Sequence, residues 1–252
     1  MGALHEGHLA LIRRARKLAG RSGTVVASIF VNPTQFGPKE DLSRYPKPIQ
    51  RDKKLCRETG VDLLFLPTPQ DVYPKDFSTF IEENRLEDAL CGKSRPGHFR
   101  GVCTIVGKLF NIVGPDIAVF GEKDFQQLAI IRKMVADLNF PIKIVGEPTV
   151  REPSGLAMSS RNQYLSDEER AQAPIIRKAL LEAQSKSELL GTAGLKTLVT
   201  KRISSAPLAR IDYIEVVDAA TLQSPTKTTR QRLIAVAVFF GKTRLIDNIL
   251  LD

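Results

Sequence analysis

The sequence predicts an α/β protein with a doubly wound parallel sheet, followed by a smaller α+β region at its C-terminal end. Two observations carry this prediction. Up to residue 149, short apolar runs rich in β-branched residues alternate with helical patterns, which is typical of a parallel sheet with helices on both faces. After residue 150, two helical patterns are followed by three strand-like runs. We therefore expect two domains, residues 1–149 and residues 150–252.

The bounds of the predicted elements follow from the length and the period of each apolar pattern. In the first domain we expect strands at 24–31, 62–66, 117–121 and 142–146, and helices at 8–19, 47–59, 101–113 and 124–138. In the second domain we expect helices at 167–190 and 193–205, and strands at 211–217, 232–240 and 243–251. Because ligands of doubly wound sheets bind at the carboxyl ends of the strands, the loops after the strands are the candidate site.

The composition is that of an ordinary globular protein, with 42% hydrophobic and 26% charged residues among 252. No apolar run approaches the roughly 20 residues of a membrane span, so we expect no membrane partner. Cys56, Cys91 and Cys103 are odd in number and lack CxxC spacing. This pattern argues against a disulfide framework or a zinc site and indicates a reducing, cytoplasmic location.

The net charge of +9 is spread evenly along the chain, with 22 basic and 17 acidic residues up to Thr149 and 15 and 11 after it. A nucleic-acid-binding protein usually concentrates its positive charge on an arm or a patch, and aromatic residues make up only 6% here. We therefore expect no nucleic-acid partner. The same charge suits an anionic small molecule such as a nucleotide.

Two histidines, His5 and His8, lie where the first helical pattern begins, with Gly7 between them. The N-terminus of a helix attracts phosphate, and a glycine lets the phosphate approach the backbone. Taken alone, the pair is also explained by surface or capping histidines. A zinc site is a weaker alternative because HEGH lacks the i, i+4 spacing of HExxH.

A second strand-to-helix turn, Phe-Gly-Glu-Lys-Asp-Phe-Gln-Gln at 120–127, follows the strand predicted at 117–121. In this turn Lys123 is a compact cation for phosphate, and Asp124 suits either ribose hydroxyls or a helix cap. Gln127, one turn into the helix, can present an amide to a polar substrate. We find no Walker A loop, no GxGxxG and no GxSxG in the sequence.

Three further loops carry polar groups that suit substrate binding. Gln35 follows the strand predicted at 24–31, after the turn signal Asn32-Pro33. The loop Met-Ser-Ser-Arg at 158–161 offers two hydroxyls and a guanidinium that can bind phosphate oxygens at two points. The loop Arg-Pro-Gly-His-Phe-Arg-Gly at 95–101 holds the third histidine. Taken singly, the loops at 158–161 and 95–101 are more often ordinary surface segments than binding sites.

Taken together and in this order, the segments resemble those of one family. They are MGALHEGH, FVNPTQFGPKEDLSRYP, RPGHFRGV, FGEKDFQQL, PTVRE and GLAMSSRNQYL, followed more weakly by DYIEVVD. The chain resembles the pantoate–β-alanine ligases (pantothenate synthetases), which belong to the nucleotidylyltransferase superfamily with the HxGH signature. The resemblance implies ATP-dependent joining of (R)-pantoate to β-alanine through a pantoyl adenylate, giving pantothenate, AMP and diphosphate.

The resemblance also implies roles for individual residues. It implies catalytic roles for His5, His8, Lys123 and Arg161, pantoate binding by Gln35 and Gln127, and β-alanine binding by Gln35. It implies ATP binding by Met1, Gly2, Ala3, Leu4, His5, Glu6, Gly7, His8, Gly121, Glu122, Lys123, Asp124, Val150, Met158, Ser159, Ser160 and Arg161. Magnesium is expected to bridge the oxygens of ATP, with Asp52 holding it through water. A Rossmann-like N-terminal domain, a smaller C-terminal lid and a homodimer are expected as well.

The sequence departs from the family pattern at Thr34, where methionine is common, at Cys103, and at its start. Family members carry a first strand, ending in Pro-Thr, that leads into the loop beginning at Met1. Two interpretations stay open: a misassigned start, or an N-terminally truncated, catalytically impaired nucleotide-binding homologue. A further rival is a nucleotidylyltransferase that transfers AMP or CMP to a phosphorylated acceptor. Gln35 and Gln127 argue against it because they suit a hydroxyl and a carboxylate better than a phosphate.

Overall fold

The computed structural model describes residues 1–38 and 40–251, and this part of the chain divides into two compact units. The first unit comprises Met1–Asp88, Gly92–Glu122 and Gln127–Pro148. The second comprises Ala89–Cys91, Lys123–Gln126 and Thr149–Asp252. The long segment of the second unit starts next to the domain boundary expected from the sequence. The two short segments of that unit come from the range that the sequence assigned to the first domain.

Most helices and strands lie close to the predicted ranges, but the strand predicted at 24–31 covers only Val26–Ser28, and the short helices at Pro69–Val72 and Leu90–Ser94 were not predicted. The helices are α1 (Glu6–Ala19), α2 (Ile49–Thr59), α3 (Pro69–Val72), α4 (Leu90–Ser94), α5 (His98–Val113), α6 (Phe125–Asp137), α7 (Asp167–Gln172), α8 (Ile175–Ser185) and α9 (Thr192–Ser204). The strands are β1 (Val26–Ser28), β2 (Leu63–Phe65), β3 (Ile117–Gly121), β4 (Lys143–Glu147), β5 (Ala209–Asp218), β6 (Arg232–Phe240) and β7 (Thr243–Leu251). Short 3-10 turns occupy Pro33–Gln35, Leu42–Arg44, Glu122–Asp124 and Ser160–Tyr164.

The strands of the first unit pair in parallel, which confirms the predicted α/β class. Strand β1 pairs with β2, with Val26 opposite Leu63, and β3 pairs with β4, with Ile117 opposite Lys143. Within the described residues these are two separate two-stranded sheets, whereas the alternating pattern predicted one continuous sheet. The pattern of apolar residues identifies strands but does not specify which strands share a hydrogen-bonded ladder. Helix α1 lies against β3, β4 and α2.

The helix predicted at 167–190 is instead two helices, α7 and α8, which are separated at Ala173 and Pro174. Proline has no backbone N–H and its ring clashes with the preceding turn, so α7 ends before it and α8 begins after it. The predicted cap of α7 is confirmed: Ser166 Oγ accepts a hydrogen bond from the N–H of Glu169 at 3.2 Å, and Glu169 Oε2 accepts one from the N–H of Ser166 at 2.9 Å.

The second unit contains the three-stranded antiparallel sheet β5-β6-β7, as the α+β prediction requires. Helix α8 packs on β6 and β7, and α9 packs on β5 and on α8. Leu180, Leu195, Ile234 and Phe240 are fully buried members of the core between the helices and the sheet. This core is built from alternate residues of each strand and from one face of each helix. A strand repeats every two residues and a helix about every 3.6, so apolar residues at those spacings share one face.

All three cysteines are buried thiols. Burial, followed by the nearby charges of Glu83 and Glu87, raises the pKa of Cys103 to about 12. Since the thiolate is the reactive form, we expect Cys103 to resist a thiol-specific reagent at pH 8 in the folded protein and to react after unfolding. Mass spectrometry of the labelled peptides measures both. Equal labelling rates in the folded and unfolded protein would contradict the expectation.

Candidate active site

The two histidines predicted to bind phosphate together cap the first helix. His5 is the residue before α1, and its Nδ1 accepts a hydrogen bond from the backbone N–H of Gly7 at 3.1 Å. The Nδ1 of His8 accepts one from the backbone N–H of His5 at 3.3 Å. The two imidazole rings lie against each other, with centroids 4.1 Å apart and planes inclined by 35°.

These contacts assign the tautomer of both rings. An Nδ1 that accepts a hydrogen bond carries no proton, so each neutral ring carries its proton on Nε2. Each Nε2–H is therefore a donor at the positive end of the α1 dipole, where anions are attracted. The capping and phosphate-binding interpretations, which were alternatives in the sequence, are compatible because they use different nitrogens.

Asp52, which lies on α2 and is fully buried, binds the backbone of the loop that precedes His5. Its Oδ2 accepts a hydrogen bond from the N–H of Ala3 at 2.8 Å, and its Oδ1 accepts one from the N–H of Leu4 at 2.9 Å. Asp52 was expected to hold magnesium through water. The geometry does not fit that expectation, because both oxygens are turned to backbone donors and the side chain reaches no solvent.

The amide of Gln35 is oriented by its neighbour Asn32, which is 3% exposed. Asn32 Nδ2 donates to Gln35 Oε1 at 3.3 Å and to the carbonyl of Gly101 at 3.0 Å. Asn32 Oδ1 accepts from the hydroxyls of Thr34 and Tyr73 at 2.9 and 2.8 Å. The oxygen of Gln35 is thus held on its own turn, which directs its NH₂ group away from Asn32.

The backbone of Gln35 is held by a charged network. His98 Nδ1 donates to the carbonyl of Gln35 at 2.8 Å, while Arg95 Nη1 donates to His98 Nε2 at 3.2 Å. Arg95 also binds both carboxylate oxygens of Glu40, at 2.6 and 2.5 Å. Burial alone would raise the pKa of Glu40, but the hydrogen bond and the charge of Arg95 outweigh it and lower that pKa.

The loops around Gln35 line a cavity of about 500 Å³ inside the first unit. Its walls come from residues 34–38 and 94–98 and from Glu40, Phe80, Arg100 and Gly101. Gly101 permits the close approach of these walls, because a Cβ at that position would lie 2.6 Å from the carbonyl oxygen of Thr34. A cavity of this volume suits a small molecule.

The remaining candidates of the first unit follow the strand β3. Gly121 ends β3, and Glu122 opens the 3-10 turn that leads into α6. Glu122 reaches toward β4, since a Cβ on Gly146 would lie 2.7 Å from Glu122 Oε1. Gln127 lies half-buried on the first turn of α6. These positions agree with the strand-to-helix turn predicted from the sequence.

Lys123 and Asp124 belong to the second unit. The ammonium of Lys123 lies 3.3 Å from Asp124 Oδ2, and its side chain is 20% exposed. The carbonyl of Lys123 accepts a hydrogen bond at 3.0 Å from Nδ2 of Asn248 on β7. The main chain at Lys123 is therefore tied to the C-terminal sheet of the same unit.

The predicted phosphate loop follows a short hairpin in the second unit. Met158 N–H donates to the carbonyl of Val150 at 2.9 Å, and Arg151 pairs with Ala157 in an antiparallel bridge. Arg151 binds both oxygens of Asp247 on β7, at 2.6 and 2.9 Å, and Asp247 is 4% exposed. Arg–carboxylate pairs of this bidentate kind fix geometry as well as adding stability, so the hairpin has a rigid base.

Beyond the hairpin, Ser159 caps the 3-10 turn Ser160–Tyr164, with its Oγ accepting the N–H of Arg161 at 3.2 Å. Buried Asn162 donates to Glu152 Oε1 at 2.8 Å and to the carbonyl of Ala157 at 3.1 Å. The loop carrying Met158–Arg161 is thus connected at both ends to fixed residues.

Sequence reasoning missed the supporting residues Asn32, Arg95, Asn162, Asp247 and Asn248. Asn32 was taken only as a turn signal, and Arg95 only as a loop cation. Their partners lie up to 125 residues away along the chain, as for Asn248 and the carbonyl of Lys123. The available signal was their residue type: a polar side chain inside an otherwise apolar segment, such as Asp247 in β7, usually has a partner when buried.

No group of three or more His, Cys, Asp or Glu that could hold a metal ion is found in residues 1–38 and 40–251. The same part of the chain contains no helix that is both long enough and apolar enough to cross a membrane.

Comparison with known proteins identifies the family of the chain. The family model described as Pantoate-beta-alanine ligase matches residues 1–250. The pantothenate synthetase of Syntrophotalea carbinolica is 54% identical over 254 residues, covering 98% of this chain and 87% of the relative. The crystal structure of pantothenate synthetase from Thermus thermophilus is 47% identical with a TM-score of 0.93, covering 99% of this chain and 90% of that one. The ligase from Francisella tularensis, complexed with beta-gamma ATP and beta-alanine, is 37% identical with a TM-score of 0.80, covering 99% and 87%. The chain belongs to the pantoate-beta-alanine ligase family.

Proposed function

We propose that this protein joins (R)-pantoate to β-alanine at the expense of ATP, giving pantothenate, AMP and diphosphate. In the first step, a carboxylate oxygen of pantoate attacks the α-phosphorus of ATP, and diphosphate leaves. In the second step, the amine of β-alanine attacks the acyl carbon of the pantoyl adenylate, and AMP leaves. Membership of the ligase family supports this reaction, as does the Francisella tularensis relative, whose structure contains an ATP compound and beta-alanine.

The structural observation that best supports the proposal is the arrangement of His5 and His8. Both rings accept backbone hydrogen bonds at Nδ1, so both have Nε2–H groups as donors at the start of α1. Negative charge accumulates on the leaving diphosphate as the bond to the α-phosphate breaks. Preorganised donors at that point stabilise the transition state more than the ground state. The role we assign to His8 is therefore electrostatic stabilisation of the leaving group by a neutral donor.

We assign further contacts by residue type. Lys123 and Arg161 supply positive charge to the phosphates, and Ser159 and Ser160 supply hydroxyls. Gly121 and Asp124 bind the ribose, and the backbone of Val150 contacts adenine. The full ATP set is Met1, Gly2, Ala3, Leu4, His5, Glu6, Gly7, His8, Gly121, Glu122, Lys123, Asp124, Val150, Met158, Ser159, Ser160 and Arg161.

The amides of Gln35 and Gln127 bind pantoate, and Gln35 also contacts β-alanine. An amide donates to a carboxylate and accepts from a hydroxyl, which are the two groups that pantoate offers. The contact from Asn32 to Gln35 Oε1 supports this assignment, because it fixes which end of the Gln35 amide is the donor end toward a ligand.

ATP is expected to enter as its magnesium complex, with the ion carried by phosphate oxygens. The fully buried Asp52 does not fit a role at that ion, and no step above depends on the ion. We also propose a cytoplasmic homodimer, in line with the composition and with the family resemblance. Analytical ultracentrifugation measures the mass of the assembly.

The exchange of labelled diphosphate into ATP tests the reaction, because it isolates the first step. We expect exchange that requires pantoate and proceeds without β-alanine, since the adenylate forms and reverts before the amine is needed. Replacing pantoate by a phosphorylated acceptor is expected to give none. Addition of β-alanine should convert the adenylate to pantothenate and AMP.

The outcomes separate the rival functions. Exchange that follows a phosphorylated acceptor and ignores pantoate would indicate another nucleotidylyltransferase. ATP binding by calorimetry, with neither exchange nor pantothenate formation, would indicate a nucleotide-binding homologue without catalysis.

A further inference from the structure

The most unusual charged group of the first unit is the carboxylate of Asp52. It lies on α2 with no exposed surface, in a site where an unpaired charge would be strongly unfavourable. Its partners are two consecutive backbone N–H groups, those of Ala3 and Leu4, at 2.8 and 2.9 Å. Consecutive N–H groups that converge on one anion form a concave anion-binding backbone arrangement, and here the anion is supplied by the chain itself.

The backbone of this arrangement is strained at one position. Ala3 has a φ of +50°, in the left-handed region that a residue with a Cβ rarely adopts. Such a conformation persists only where the surroundings hold it. The hydrogen bond from the N–H of Ala3 to Asp52 Oδ2 is a contact that does so.

The strained residue lies two positions before His5, and the next residue is firmly anchored. Leu4 is 1% exposed and packs in a cluster with Ile12 and Ile29. The backbone direction at Ala3 and Leu4 therefore determines where the chain enters α1 at His5. Without the two hydrogen bonds that Ala3 and Leu4 donate to Asp52, Ala3 would relax toward a more common φ and the loop would leave this path.

From this geometry we propose that Asp52 is a positioning residue for the histidine pair: it holds the Ala3–Leu4 backbone in the conformation that presents His5 and His8 to the phosphates of ATP. The inference rests on the proposed function, in which the pair contacts ATP. Asp52 itself touches no substrate in this role and holds no metal. The carboxylate acts through the backbone alone, which distinguishes it from the residues assigned to ATP.

The substitution Asp52→Asn tests this role with little change in volume. An amide retains one acceptor but places an NH₂ group against the other backbone N–H, so one of the two hydrogen bonds is lost. We expect the calorimetric Kd for ATP to rise about tenfold, and the KM for ATP in the exchange reaction to rise with it, while the KM for pantoate stays within twofold. Asp76→Asn, on an exposed aspartate, is the matched control and should change neither constant.

A merely structural role would give a different result. It would lower the folded, active fraction and hence the apparent kcat, with both KM values unchanged, and that outcome overturns the proposal. A magnesium role would shift the magnesium concentration needed for activity at saturating ATP without changing the Kd for ATP, which also overturns it.

Two further variants cover the remaining cases. If Asp52→Asn does not fold, Ala3→Val disfavours the left-handed conformation with Asp52 intact, and we expect it to raise the Kd for ATP with the KM for pantoate unchanged. An unchanged Kd for ATP overturns the proposal.

His8→Ala distinguishes a failure of the proposed function from a failure of the positioning role. If it leaves the Kd for ATP unaltered, the assignment of the pair to ATP fails; if it raises that Kd and Asp52→Asn does not, the positioning role fails.

Discussion

Replacing Lys123 with alanine is expected to lower the rate of pantoyl adenylate formation by at least about 100-fold, the scale of removing one transition-state donor. The Lys123 ammonium lies beside Asp124, and the side chain is only 20% exposed, so its charge is screened by water less than that of a surface lysine. Charge spreads over the α-phosphate and the departing diphosphate only as the bond breaks. A compact cation at that point therefore acts mainly on the rate of the chemical step.

Pantoate-dependent exchange of labelled diphosphate into ATP measures this rate. Because the interaction strengthens in the transition state, we expect kcat to fall far more than the KM for ATP rises. Lys133→Ala provides the matched control: Lys133 lies on α6, has a more exposed side chain, and pairs with Asp137 one turn away. The control should stay within about twofold of the unsubstituted protein. Exchange at a near-normal rate in Lys123→Ala would remove Lys123 from the mechanism.

Replacing Leu180 with alanine is expected to reduce the free energy of unfolding of the second unit by about 2–5 kcal/mol, the range for a buried leucine that leaves a cavity. Leu180 lies on α8 and is 0% exposed, within the core that α8 and α9 form on the sheet. The strands and helices around it are fixed by other core residues. We therefore expect little collapse into the space that the substitution creates.

Urea unfolding followed by circular dichroism measures this effect through the midpoint and slope of the transition. The neighbouring Leu181→Ala is a control with the same chemical change on the same helix. Leu181 is 45% exposed, and its substitution should cost about 1 kcal/mol or less. Equal losses for the two variants would mean that Leu180 does not lie on the buried face of α8.

The sequence predicted most secondary structure because local patterns determine it. The strand at 117–121 and the strands at 232–240 and 243–251 have the predicted bounds. Where the predicted elements were wrong, the cause was either a local helix breaker or strand pairing between distant residues. Pro174 divides the helix predicted at 167–190, and the pairing of β1 with β2 and of β3 with β4 could not be read from apolar runs.

The candidate site divides in the same way. His5, His8 and Lys123 could be proposed from the sequence because their residue types, spacing and position next to predicted elements carry chemical meaning. Asp52 was also singled out, but with a different role, since a carboxylate in a sequence does not reveal whether it meets solvent or backbone. Its two partners are 48 and 49 residues away along the chain.

What the sequence by itself determined is therefore the class of fold, the family resemblance and the residues proposed to contact substrate. These depend on local periodicity and on motifs whose members are close together in the chain. Only the tertiary structure decided which nitrogen of each histidine faces the backbone, which groups hold Gln35, and why Asp52 is buried. Each of these depends on hydrogen bonds that form only in the folded chain, many of them between residues far apart in sequence, and a buried polar group is stable only when those partners are present.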